Sequence, residues 1–124
     1  MMREGHHRVL VVEDHADSRE LLAEFLEALG YEVDVAGNGL DALERLRSAP
    51  RPAVMLLDLM MPVMSGWELM QYVREDTSLS SLAVVVVSGA GESQSLPEGI
   101  LGAMPKPVDL DALKAFLKTA TRRS

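Results

Sequence analysis

Four apolar stretches constrain this chain more than anything else in it, because none of them alternates. They are Val9 to Val12, Val54 to Leu57, Ala83 to Val87, and Ile100-Leu101-Gly102-Ala103-Met104-Pro105. Nearly continuous, β-branched runs of this length are what strands look like when both faces are covered. Each run also delivers the chain to residues with chemistry: Glu13-Asp14, Asp58, Ser88 and Lys106, in that order.

Helical stripes lie between the runs. Leu21, Leu22, Phe25, Leu26 and Leu29 share one face of a helix that Gly30 stops. Glu32 to Ala36 alternates, as a half-buried strand nearer a sheet edge would. Asn38 suits the cap of a second helix carrying Leu40, Leu43 and Leu46, ended by Pro50 and Pro52. Ser65-Gly66-Trp67-Glu68 has capping-box spacing, and Leu69, Met70 and Val73 continue that helix inward. Asp109 caps the last helix, with Leu110, Leu113, Phe116 and Leu117 toward the core. Between Gly89 and Gly102, Pro97 and several glycines interrupt the pattern, so the fourth helix is expected to be short or irregular.

Strand–helix alternation with right-handed crossovers gives an α/β fold, a flavodoxin-like doubly wound five-stranded parallel sheet. Its expected strand order is 2-1-3-4-5, with helices on both faces. In such sheets ligands bind outside the carboxyl ends of the strands, where the order reverses. That point lies between strands 1 and 3, so Glu13, Asp14 and Asp58 are expected to be neighbours. The 124 residues, 48% of them apolar, suffice for a single domain, residues 1–124, with a core at about 8–120.

A net charge of −7 argues against direct nucleic-acid binding, which needs basic surface. Without cysteine there are neither disulfides nor thiolate metal sites. No signal-like segment is visible at Met1 to Arg8, and no run reaches the ~18–20 apolar residues of a membrane span. The expectation is a cytoplasmic location, with no membrane partner.

Three carboxylates crowded at strand ends repel one another unless a cation neutralises them. Oxygen ligands without cysteine or histidine favour Mg²⁺, with Mn²⁺ as its substitute. A carboxylate beside such a cation can act as a nucleophile and form an aspartyl-phosphate. Asp58, on the central strand, is the candidate acceptor. Lys106 and Ser88 offer an ammonium and a hydroxyl to phosphoryl oxygens, the charge cancellation this chemistry depends on. His6, His7 and His15 show no metal-ligand spacing of their own, and Trp67 suits helix packing.

Taken together, Glu13-Asp14, Asp58-Leu59-Met60-Met61-Pro62-Val63-Met64-Ser65-Gly66, Ser88-Gly89-Ala90 and Lys106-Pro107 resemble the receiver domain of bacterial two-component response regulators, of the chemotaxis-regulator type. The resemblance runs from about Arg8 to Leu117, in the family's order. It implies a non-enzymatic phospho-acceptor that assists its own phosphorylation and dephosphorylation. The phosphoryl group would come from a histidine kinase or histidine phosphotransfer protein. It also implies Mg²⁺ bound by Asp14, Asp58 and the Met60 main-chain carbonyl, with Glu13 acting through water. Ser88 would move toward the phosphoryl group, Lys106 would pair with it, and the Lys106–Pro107 bond would be cis. The expected oligomeric state is a monomer or weak dimer.

One position departs from the family, and another lies where the family itself varies. Ala103 stands where receivers usually carry an aromatic residue that rotates on switching, and a methyl group cannot report a rotamer state. Met60 stands where the family varies its phosphate lifetime; a thioether cannot orient water, so slow autodephosphorylation is expected. Two rivals stay open on the residues alone. One is a pseudo-receiver, an interaction module of the same fold not controlled by phosphorylation. The other is a small Asp-nucleophile phosphatase, against which stands Met60 where a second acid would be needed.

Overall fold

The computed structural model describes residues 7–48, 50–89 and 96–122. Five strands, β1 (Arg8–Val12), β2 (Glu32–Ala36), β3 (Val54–Asp58), β4 (Ala83–Ser88) and β5 (Gly102–Pro105), form one sheet of order β2-β1-β3-β4-β5. All four pairings are parallel. Helices α1 (Ala16–Ala28), α2 (Gly39–Ser48), α3 (Gly66–Glu75) and α4 (Leu110–Arg122) cover the sheet, and one 3-10 turn spans Thr77–Leu79. This is the flavodoxin-like architecture expected from the alternation of runs and stripes.

The absence of alternation in the strand sequences has a simple physical cause: both faces are core. Leu10, Val12, Met55, Leu57, Val84 and Val86 face one way and pack with α2 and α3. Val9, Val11, Val54, Leu56 and Val85 face the other and pack with α1 and α4. β2 and β5 are the sheet's edges, and each is less buried than β1 and β3. Pro105, which lacks a backbone donor, occupies the last position of edge strand β5, where that loss matters least.

The helix ends follow their sequence signals. Asn38 Oδ1 accepts from Asp41 N at 2.8 Å, and Asp109 Oδ1 from Asp111 N at 3.0 Å. Ser65 and Glu68 form a reciprocal capping box. Gly30, at φ 101, ends α1 in a conformation glycine readily adopts. The half-buried Trp67 packs against the α2–α3 layer, and Lys106–Pro107 is cis.

Three expectations need correction. Leu21 is exposed, because at about 100° per residue it falls off the arc held by Leu22, Phe25, Leu26 and Leu29. Leu40 is exposed for the same reason: the buried arc of α2 is Gly39, Ala42, Leu43 and Leu46. The fifth strand starts at Gly102 rather than Ile100, although Leu101 N still donates to Val84 O at 2.7 Å. The short or irregular fourth helix falls mostly on residues 90–95, outside the described residues. From Leu96 to Leu101 there is a turn at Glu98-Gly99 and no helix. His6 also lies outside the described residues.

Candidate functional site

Strand order carries distant residues to one edge. Glu13 and Asp14 leave the end of β1, Asp58 ends the adjacent β3, and Lys106 follows β5. Ser88 ends β4 opposite Pro105, and the structure describes its backbone only.

Glu13 and Asp58 are the two buried charged residues among those described, each 4% exposed. A single cation spans them. Lys106 Nζ donates to Asp58 Oδ2 at 3.1 Å and lies 3.5 Å from Glu13 Oε1. The other Asp58 oxygen accepts from the Met60 backbone N–H at 3.2 Å, so the loop after β3 begins by folding back on the carboxylate. The other Glu13 oxygen accepts from His15 N at 3.1 Å.

The charges do not balance. Two buried carboxylates, Glu13 and Asp58, meet one ammonium, and the Asp14 carboxylate lies beside Glu13. Burial raises the Glu13 pKa above its ordinary value, against the lowering effect of the His15 N–H, and the negative charge of Asp58 adds to the rise. Burial works against the charge on Lys106, but the hydrogen bond and negative charge of Asp58, with Glu13, outweigh it and raise the Lys106 pKa. An ionised Glu13 beside an ionised Asp58 is therefore a state the protein alone holds at a cost. A hard divalent cation with oxygen ligands relieves that cost, and the donor set fits one.

One expectation needs correction, that His15 shows no metal-ligand spacing, and two further features of the site escaped the sequence reading. His15 Nδ1 lies 3.7 Å from Glu13 Oε2 and 3.8 Å from Asp14 Oδ1, so Glu13, Asp14 and His15 form one compact group of potential ligands. Its adjacency to the acid pair was the available signal. Arg19 Nη1 donates to the Glu13 carbonyl at 3.0 Å, fixing the backbone that carries the acid pair; helical spacing from Ala16 would have placed it over the end of β1. The other feature is a close approach of α2 to the loop after Asp58, for which the sequence carries no signal beyond glycine itself.

Comparison with known proteins bears on the family and fold of the chain. The profile of the response regulator receiver domain matches residues 9–118. The chain is 36% identical over 121 residues to a transcriptional regulatory protein CpxR homolog of Haemophilus influenzae, covering 94% of this chain and 51% of that protein. It is 39% identical over 117 residues to the sensor histidine kinase RcsC of Salmonella typhi, covering 93% of this chain and 12% of the kinase. The chain thus spans about half of one relative and a small part of the other. A sensor protein from Polaromonas sp. JS666 superposes with a TM-score of 0.85 at 31% identity, over 95% of this chain and 98% of that one.

Proposed function

The chain belongs to the response regulator receiver domain family, and from that premise we propose that Asp58 accepts a phosphoryl group from a phosphohistidine. The donor would be a histidine kinase or histidine phosphotransfer protein. The observation that carries this reading is Asp58 itself. It is a buried carboxylate at the end of a central strand, with one oxygen on Lys106 and the other on the Met60 N–H.

In the transfer, an Asp58 carboxylate oxygen forms a bond to phosphorus while the phosphorus–nitrogen bond of the donor breaks. The electron pair of that bond returns to the imidazole. Lys106, already bridging Asp58 and Glu13, needs only a small shift of a flexible side chain to reach a phosphoryl oxygen. Ser88, beside Asp58 in the β3–β4 part of the sheet, would give its hydroxyl to a second oxygen as the switched state forms. Glu13, Asp14, Asp58 and the Met60 carbonyl would hold Mg²⁺, with Mn²⁺ as a substitute. When bound, the ion cancels charge on the carboxylates and phosphoryl oxygens. Burial of Asp58 keeps bulk water from the acyl phosphate. Met60 adds no group that could orient an attacking water, which supports a long-lived phosphoryl adduct.

One observation favours a second reading, a pseudo-receiver that binds partners without phosphorylation. Ala103 is half-buried against the α2–α3 layer, so the usual aromatic reporter has no counterpart there.

Incubation with acetyl phosphate and Mg²⁺, followed by intact-mass measurement, separates the two. One phosphoryl adduct is expected on the wild type and none on Asp58→Asn. An adduct on both proteins moves the acceptor elsewhere, and an adduct on neither favours the pseudo-receiver. After removal of acetyl phosphate, decay of the adduct within seconds would contradict the role given to Met60.

A further inference from the structure

The loop that follows Asp58 is clamped at its far end by a different element, the first turn of α2. Gly39 N donates to Met64 O at 3.2 Å, and a Cβ on Gly39 would lie 2.6 Å from that oxygen and 2.9 Å from Met64 Cβ. No side chain larger than hydrogen fits without moving the loop. The near end is clamped as tightly. Gly66 N donates to Leu59 O at 2.9 Å, and a Cβ there would lie 2.7 Å from Leu59 Cα and 2.9 Å from Asp58 O. Between the clamps the chain turns sharply, with Met64 N on Pro62 O at 2.8 Å and Val63 at φ 71. A β-branched residue in that region is strained, and such a conformation persists only where its surroundings hold it.

From this geometry we propose that Gly39 is a positioning residue for the divalent-cation site, acting through Met64 on the loop that carries Met60. The proposal rests on the reading that the acid cluster and the Met60 carbonyl hold Mg²⁺. The Met60 N–H sits on Asp58 Oδ1, so loop position and carboxylate orientation are one mechanical unit. Gly39 holds the other end of that unit, from an element the chain reaches two residues after β2. The coupling is reciprocal by linkage: a cation that fixes the loop also fixes the Gly39–Met64 hydrogen bond. Alanine is a better helix former than glycine. Any loss on Gly39→Ala therefore reports the contact with the loop rather than helix propensity.

Two measurements test this. Calorimetric titration with Mg²⁺ is made on the wild type, on Gly39→Ala, and on Leu117→Ala, which opens a cavity in the α1–α4 layer. Gly39→Ala is expected to bind about tenfold more weakly, the scale of losing a group that orients a metal ligand. Leu117→Ala, although less stable, is expected to keep wild-type affinity when measured well below its melting temperature. In wild-type protein, Mg²⁺ is also expected to slow hydrogen exchange at the Gly39 amide several-fold, a readout that survives if Gly39→Ala fails to fold. Equal Mg²⁺ affinity in Gly39→Ala and wild type, or unchanged exchange at Gly39 on Mg²⁺ binding, overturns the proposal and leaves the metal site standing. A wild type that binds no Mg²⁺ overturns both.

Discussion

The two ends of the sheet handle charge in opposite ways. At the amino ends, Arg8 opens β1 and donates to Glu32 at 2.8 Å and Asp34 at 3.3 Å on the neighbouring strand. Nearby, Asp76 takes both the hydroxyl and the backbone N–H of Ser78, and Arg51 donates to the Ser78 carbonyl. These groups all keep contact with solvent, with 26% of the Arg8 side chain, 45% of Glu32 and 27% of Asp34 exposed. At the carboxyl ends Lys106 also bridges two acids, Glu13 and Asp58, but both of these are buried, with Asp14 beside Glu13. A fold selected only for stability gains little from burying two acids against one lysine. Partly exposed ion pairs lie at one end of the sheet, and the buried acids lie at the end proposed to hold Mg²⁺.

That contrast can be broken by substitution, and the largest effect should come from the acceptor loop. Gly66→Ala sets a methyl against the backbone of both Leu59 and Asp58. Backbone overpacking of this kind costs about 1–3 kcal/mol. Thermal melts should fall accordingly, and phosphoryl acceptance from acetyl phosphate should fall with them.

Next come two substitutions of opposite sign. Arg8→Ala removes two partly exposed ion pairs and should destabilise by about 1 kcal/mol or less, an effect that shrinks as salt rises. Glu13→Gln removes a buried charge whose ionisation the folded state disfavours, so its melting temperature without divalent cation should rise. In a chain of this size about 1 kcal/mol corresponds to ~3–5 °C. Added Mg²⁺ should then stabilise Glu13→Gln less than it stabilises the wild type. If Glu13→Gln melts below the wild type in chelator, the crevice carries no excess of negative charge and the contrast fails.

The smallest effect is at Asp76. The side-chain and backbone hydrogen bonds from Ser78 lower its pKa below 3.8. A depressed carboxyl contributes stability that is present above pH 3.8 and lost as pH falls through the folded value. Asp76→Asn should therefore lower the neutral plateau slightly, leave stability in strong acid almost unchanged, and so flatten the acid limb of the profile. A larger change in acid than at neutral pH would mean that Asp76 acts through something other than its charge.

How much of this was legible beforehand depended on range. Strand existence, helix caps at Asn38, Ser65 and Asp109, and the order of the sheet came from local pattern and one handedness rule. The same holds for the chemistry at the strand ends, since a residue that ends a buried run must emerge at the sheet's edge. Leu21 and Leu40 were misjudged because a leucine near a helical stripe looks the same whether a neighbour covers it or solvent does. His15 and Arg19 were passed over because neither is unusual in type or spacing. Their meaning lies in the direction each takes from the start of α1.

The amino-acid sequence by itself determined that the acids of β1 and β3 meet, with Ser88 and Lys106 carried to the same edge. Strand order places them there once the runs are recognised. Only the tertiary structure decided that Lys106 reaches back 48 residues to Asp58 and bridges it to Glu13, and that Gly39 closes on Met64. Those facts are distances between separately formed elements, set by how layers pack, and no local pattern encodes them.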